Sequence, residues 1–351
     1  MQHTKWGIFL LTLLIMSSNL ISQSISIKSL NETEATLAIN PKKNTNCLVV
    51  VRESGVKSIA PDSKGKYTSD FHYSNNNKQS QSGSGNYIVY NNSKAQDISI
   101  KDLKPGVIYI ADLYSDIKKT KIVKPAKSIT FGLLAQEPKT QARIQAFTGM
   151  KTNELTILFK WGDGKSRILL LSEDKECELP KDGTIYAASN LFGRGSLTAK
   201  STYVVLIDSG VAKSVTVKGL KPGTRYFAAI CEANGSGIHV NYNTDIPKQG
   251  STFTLVEPPV ALEAADIGEN SFLAKWKGSD GAEKYLLEVA FDEKFSKPVE
   301  EFKSVDVGKI ESILIEDLPK SDNLYYRLQA IGPNGRESQY SNVIKVTPKI
   351  K

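Results

Sequence analysis

LKPGTRY, residues 220–226, has a near copy, LKPGVIY, at 103–109. Read physically, the phrase turns the chain: Pro fixes its own φ, Gly supplies a freer backbone, and Leu220 ends one strand where Tyr226 opens the next. A tyrosine so placed buries its ring and leaves its hydroxyl able to bond back to the turn. Neither copy carries an obvious catalytic group, so the phrase speaks to architecture.

Outward from the two copies, the flanks also agree. CLVVV (47–51) faces RILLL (167–171), Tyr67 faces Tyr186, NYIVY (86–90) faces TYVVL (202–206), and ISIKDL (98–103) faces VTVKGL (215–220). Self-similarity at a nearly constant offset means two copies of one folding unit. Each piece is short, rich in β-branched and aromatic residues, and bounded by Gly, Asn, Asp or Pro. ISIKDL and VTVKGL alternate apolar with polar, as strands with one wet face do. No long helical period follows the first 23 residues, so the class is all-β at sandwich spacing.

A third segment begins at Glu257. In EPPVALEAADIGENSFLAKW (257–276), Phe272, Ala274 and Trp276 alternate inward, with Trp276 as the core tryptophan. KYLLEVAFDEKF (284–295) reads as the next strand and its turn, and DLPKSDNLYYRLQAIGPNGRESQYSNVIKV (317–346) supplies the corner, two strands and their loop. Leu324 stands where the corner tyrosine belongs, followed by Tyr325 and Tyr326, so this corner is expected to lack its hydroxyl bond.

On the string W…YLLEVAFDEKF…VDVGKIESILIEDL…YYRLQA…NG…YSNVI, the third segment resembles a fibronectin type III domain of the kind found in exported Bacteroidetes proteins. The first two resemble a longer relative, through RILLLSE, ELPKDGTIYAA, TYVVL, VTVKGLKPGTRYFAAICEANGSG and a closing NYN. The resemblance implies three tandem immunoglobulin-like/fibronectin type III β-sandwiches, at 24–132, 138–255 and 257–349, with Tyr109 and Tyr226 as tyrosine corners. The first copy departs most: Ile39 takes its core tryptophan position, and SDIKKTKI (115–122) replaces ANGSG. SDFHYSNNNKQSQSGSGNY (69–87) is polar and low in complexity, hence an expected mobile loop. LLAQEPKTQA (133–142) and LVEPP (255–259) read as linkers.

Residues 1–23 are a different text. Lys5, an apolar run from Ile8 to Met16 and a polar stretch from Ser17 to Gln23 form the order of a signal peptide. The run is too short to cross a bilayer, and no later stretch is apolar for long enough. The chain stops at VTPKIK directly after the third segment, which speaks against a terminal sorting domain. Periplasm, outer-membrane surface and extracellular space all stay open.

The chain has 45 basic against 37 acidic residues, a net charge of +8. Lysines scattered through all three segments read as a solvated basic surface, with attraction to acidic glycans or lipopolysaccharide as the sharper alternative. No aromatic-basic motif points to nucleic acid. The cysteines Cys47, Cys177 and Cys231 are an odd number without metal-ligand spacing. Cys177 and Cys231 could pair, but free, partly buried thiols fit better.

Signals for catalysis are weak. Beyond the leader only His72 and His239 remain, too few for a three-histidine zinc site, and no GxSxG elbow is present. WGDGKS (161–166) resembles the end of a phosphate loop, but Phe159 stands where that motif needs glycine. No catalytic residue, metal ligand or cofactor is expected. Binding residues are sought in ANGSGIHVNYN (233–243), with His239 and Tyr242, in GPNGRES (332–338), with Arg336, and at Trp161, read as able to stack on a sugar beside Tyr242. Gly-rich hairpins packed by a tryptophan for structural reasons are the plainer alternative.

The sequence reads as a non-enzymatic exported binding, adhesion or spacer protein of the bacterial envelope, acting through loops or sheet edges on a protein or glycan. The alternative is an accessory scaffold subunit of an outer-membrane secretion or polysaccharide-uptake complex.

Overall fold

The computed structural model describes residues 23–115, 124–245 and 249–349. The expected signal peptide, 1–23, therefore lies outside the described residues except for Gln23, as does most of SDIKKTKI. The chain divides into two compact units, Met1–Leu133 and Leu134–Lys351. The protein is all-β, with no α-helix among the described residues.

The first unit holds β1 (Ser24–Leu30), β2 (Ala35–Asn40), β3 (Cys47–Glu53), β4 (Gln81–Gly83), β5 (Asn86–Asn92), β6 (Gln96–Ile100), β7 (Ile108–Ser115) and β8 (Lys127–Gly132). These make two antiparallel sheets, β1-β2-β6 and β4-β5-β3-β7-β8. In β2 the burial alternates, with Ala35, Leu37 and Ile39 inside. Each leucine or isoleucine so buried contributes about 1.5–3 kcal/mol. β3 is buried on both faces from Cys47 to Val51, the pattern of a strand covered on both sides.

The cover is the long connection between β3 and β4. Tyr67 packs on Leu48, Val50, Ile88 and Tyr114 over the outer face of the larger sheet. Farther on, Tyr73 enters the core between the sheets. Its ring centre lies 4.6 Å from that of Tyr87 and 5.1 Å from that of Tyr109. On the way, Tyr73 N–H donates to Lys101 O and Lys101 N–H to Phe71 O. The connection thus wraps one side of the sandwich and bonds to the smaller sheet. The stretch expected to be a mobile loop, 69–87, is instead built in: Tyr73, Ser80 and Asn86 are buried. Asn86 alone holds Ile59 N–H and the carbonyls of Lys57 and Ser84. Side-chain amides do here what apolar residues do elsewhere.

The second unit holds two sandwiches. The first has β9 (Arg143–Thr148), β10 (Glu154–Lys160), β11 (Ser166–Glu173), β12 (Leu197–Ala199), β13 (Thr202–Asp208), β14 (Ser214–Lys218), β15 (Arg225–Asn234), β16 (Asn241–Tyr242) and β17 (Gly250–Phe253). Its sheets are β14-β10-β9 and β12-β13-β11-β15-β16, with β17 also on β15. The insertion after β11 repeats the earlier course. Cys177, Leu179 and Tyr186 close a small core on the outer face. Phe192 then turns inward against Tyr203 (5.0 Å) and Tyr226 (5.2 Å).

The second sandwich of this unit has β18 (Val260–Ala265), β19 (Phe272–Lys277), β20 (Lys284–Ala290), β21 (Val305–Gly308), β22 (Ser312–Ile315), β23 (Leu324–Ile331) and β24 (Ile344–Val346). Its sheets, β18-β19-β22 and β21-β20-β23-β24, form the three-plus-four arrangement of a fibronectin type III sandwich. Trp276 is 1% exposed at the centre of its core, edge-on to Tyr285 at 5.9 Å.

At the corners, the Tyr109 hydroxyl accepts Lys104 N–H at 2.9 Å and the Tyr226 hydroxyl accepts Lys221 N–H at 3.0 Å. The same five-residue reach recurs inside each insertion, from Asp62 N–H to Tyr67 (2.8 Å) and from Lys181 N–H to Tyr186 (3.1 Å). Each long sandwich therefore ties two turns with tyrosine hydroxyls. The third sandwich has Leu324 buried at the corner, and its hydroxyl tie stands two residues on. Tyr326 accepts Lys275 N–H at 3.1 Å and donates to the Leu262 carbonyl, linking its two sheets.

The expected linker inside the second unit, 255–259, does not hang free. Gly223 N–H donates to Leu255 O, Leu255 N–H to Lys151 O, and Val256 is 2% exposed in the core of the following sandwich.

Candidate ligand-binding site

Trp161 directly follows β10 and begins the turn WGDGKS. Four backbone bonds fix that turn. Gly162 N–H donates to Glu232 Oε1 (2.9 Å), Thr140 N–H to Asp163 Oδ1 (2.8 Å), Asp163 N–H to Thr140 O (3.1 Å), and Lys165 N–H to Asn234 Oδ1 (3.0 Å). The glycine residues are there for space: a Cβ at Gly164 would stand 2.6 Å from Glu232 Oε2. GDG is thus a strand-connecting turn that uses its amides internally.

Beneath it sits a charged cluster. Arg167, 4% exposed, pairs with Asp208 (2.5 Å) and with the fully buried Glu232 (3.2 Å). The second Glu232 carboxylate oxygen has no hydrogen-bond partner among the described residues, a cost the turn above it sustains. The Arg167 guanidinium carbon lies 4.8 Å from the Trp161 ring centre, within cation–π range. Trp161 Nε1–H donates to Ala212 O at 2.5 Å. The indole is therefore clamped along its edge and over one face before any ligand arrives.

A cavity of about 520 Å³ opens against this tryptophan, lined by Gln145, Phe159, Lys160, Trp161, Gly162 and Lys213. That volume lies in the usual range of small-ligand sites. Lys160 and Lys213 make no ion pair among the described residues, and the Gln145 side chain makes no hydrogen bond there. Sequence reasoning singled out Trp161 but missed these three. They are exposed residues of ordinary strand ends, and only the strand register brings them together.

Tyr242 does not join Trp161 on one platform. It is 6% exposed in the separate core under the insertion. Its hydroxyl donates to Thr184 O and its N–H to Asp182 Oδ1, and burial pushes that phenol up to about 12. The loop ANGSGIHVNYN works as a clamp. His239 O accepts Ala135 N–H (2.8 Å), Asn241 holds Ala135 O (2.8 Å), Asn234 holds Gln136 O (2.8 Å) and Asn243 holds Pro138 O (2.8 Å). The part of the expected linker 133–142 that belongs to this unit is thereby strapped onto the sandwich. Its backbone acceptors are satisfied by side-chain amides of the loop expected to bind a partner.

Arg336 is half-buried in the loop after β23, where its carbonyl accepts Gly332 N–H. The organised arginine of this sandwich is Arg327. It lies between Phe295 (4.0 Å) and Tyr340 (3.5 Å) and pairs with Glu288 at 2.7 Å. Tyr340 also bonds Glu288, so this cluster is internally complete. Among the described residues, no group of three or more His, Cys, Asp or Glu is placed to hold a metal. His72 is exposed and paired with Asp102 at 2.7 Å.

All three cysteines are free and buried, so Cys177 and Cys231 do not pair. Burial pushes both of these thiols up to about 12.

No protein-family model matches the sequence, and no curated protein matches it. Among solved structures, the crystal structure of chicken CNTN1 FN1-FN3 domains aligns over 93% of this chain and 98% of its own, at 12% identity and a TM-score of 0.29. The sandwich architecture accordingly rests on the strand order and register given above.

Proposed function

We propose that this is an exported, non-enzymatic binding and spacer protein of the bacterial envelope, in which rigidly joined sandwiches carry a recognition surface at a strand-connecting turn. The observation that carries the reading is the joint inside the second unit. A Cβ on Gly223, the glycine of LKPGTRY, would stand 3.1 Å from the Gly281 α-carbon and 2.9 Å from a Val256 methyl. Both glycines have positive φ, +57° and +76°, which side chains other than glycine adopt at a cost. Backbone lies against backbone, and Val256 is sealed into the core beside it. Relative motion of these two sandwiches must open that contact.

The test is the distance distribution between spin labels placed by Thr148→Cys and Lys345→Cys in the exported chain. One narrow distance is expected, broadening in a Gly223→Val variant. A broad distribution in the unaltered joint removes the basis for a spacer role.

A further inference from the structure

We propose that the cavity against Trp161 binds an acidic saccharide, a sugar ring bearing carboxylate or sulfate. The inference deepens the binding half of the function proposed above. It fails separately, since ligand titration and inter-sandwich distance are independent readings.

Three cations sit on neighbouring strands at this end of the smaller sheet, two of which, Lys160 and Lys213, line the cavity. Lys160 on β10 is directly opposite Arg143 on β9. Lys213 lies on the other side, its carbonyl accepting Phe159 N–H at 3.0 Å. Like charges directly opposed across a sheet repel, and none of the three has an acidic partner among the described residues. The nearby acids Glu232 and Asp208 are already held by Arg167. Lys160 and Lys213 on the cavity, with Arg143 beside Lys160, therefore make an uncompensated positive field, which an anion would relieve.

The remaining lining narrows the class of anion. The indole of Trp161 offers a fixed apolar surface, and the free Gln145 amide offers both a donor and an acceptor. A sugar ring pairs an apolar C–H face with a rim of hydroxyls, and an acidic substituent adds the charge. An acidic peptide would use the cations but has no need of a clamped indole. Single-stranded nucleic acid would need successive stacking aromatics along a basic track, whereas Trp161 is the sole aromatic besides Phe159 in this lining.

Tryptophan fluorescence reads the site cleanly. Of three tryptophans, Trp6 falls in the expected leader and Trp276 is 1% exposed, leaving Trp161 as the responsive one. The purified chain without its leader is titrated with oligogalacturonate, a heparin-derived sulfated oligosaccharide, neutral maltohexaose, oligoglutamate and oligothymidylate.

Saturable binding of one or both acidic saccharides is expected, the two arms separating carboxylate from sulfate, with maltohexaose inert. Lys160→Ala with Lys213→Ala should weaken it about tenfold, since two partly exposed ion contacts go together. Lys160→Arg with Lys213→Arg should restore most of it. The exposed pair Lys42→Ala with Lys43→Ala, which removes equal charge from the other repeat, should leave it unchanged. Equal weakening by both alanine pairs, binding of oligoglutamate or oligothymidylate as tight as that of the saccharides, or no saturable binding at all overturns the proposal.

Discussion

The α-carbon of Gly162 faces the backbone of Thr140 so closely that a Cβ would stand 1.9 Å from the Thr140 carbonyl oxygen. The obstacle is backbone, which cannot swing aside as a flexible side chain would. Gly162→Ala should therefore cost about 2–4 kcal/mol, read as a lowered urea midpoint with unchanged m-value. It should also shift Trp161 fluorescence, because the displaced turn carries the indole.

Tyr226→Phe keeps the buried ring and deletes only the acceptor for Lys221 N–H. A loss of about 1 kcal/mol is expected, with a similar loss for Tyr109→Phe. Leu324→Ala in the third sandwich should cost about 2–5 kcal/mol by opening a cavity. Urea titration of each variant separates a lost hydroxyl from lost packing.

Buried phenols also set an alkaline limit. Tyr226 and Tyr242 are pushed up to about 12, chiefly by burial, against an ordinary value near 10. The thiols of Cys177 and Cys231 are held up in the same way, so above pH ~8.5 for thiols and ~10 for phenols the unfolded chain releases protons that the folded chain retains, and stability falls as pH rises toward 12. Urea midpoints should be level to about pH 8, begin to fall near pH ~9 as the unfolded thiols ionise, and drop more steeply beyond pH ~10. In the folded protein, tyrosinate absorbance should lag behind that of the unfolded chain.

Thiol chemistry checks the buried cysteines. At pH 8 the folded chain, expressed without residues 1–22, should leave Ellman's reagent nearly colourless. The three cysteines, all free and buried, should react together once guanidinium is added. Fewer than three equivalents after unfolding without reductant would mean that a disulfide exists.

The strap at 135–138 has its own test. Asn243→Ala removes the donor to Pro138 O and the acceptor for Gln141 Nε2 and Asp245 N–H, a loss of about 2 kcal/mol at a buried site. Trypsin should then cut after Lys139 faster than in the unaltered protein. An unchanged cleavage rate means the strap is held by other contacts.

The all-β class and the corners were legible because the chain states them twice, and the turn chemistry of Leu-Lys-Pro-Gly is local. The insertion's path was not. Tyr73 and Phe192 reach the core from stretches that look like polar loops, and only the sheets they wrap make them core residues. The asparagines of ANGSGIHVNYN misled for a related reason. An Asn-rich hairpin looks the same in sequence whether its amides face solvent or hold a strand about a hundred positions away, as Asn243 holds Pro138. Trp161 was singled out as an aromatic at a turn, but its companions Gln145, Lys160 and Lys213 emerge only from register.

The insertions have one more effect. By closing the outer face of the larger sheet in each long sandwich, they leave the turns as the parts free to drift. Where the second copy has Trp161, Gly162 and Arg167, the first has Pro41, Lys42 and Cys47, on a turn closed by its own bond from Thr45 N–H to Lys42 O. Duplication has thus produced a matched pair of frames of which only one is fitted with an indole. Moving a specificity from one copy to the other would need the partners of the turn as well, Thr140, Glu232 and Asn234, because these hold it in place.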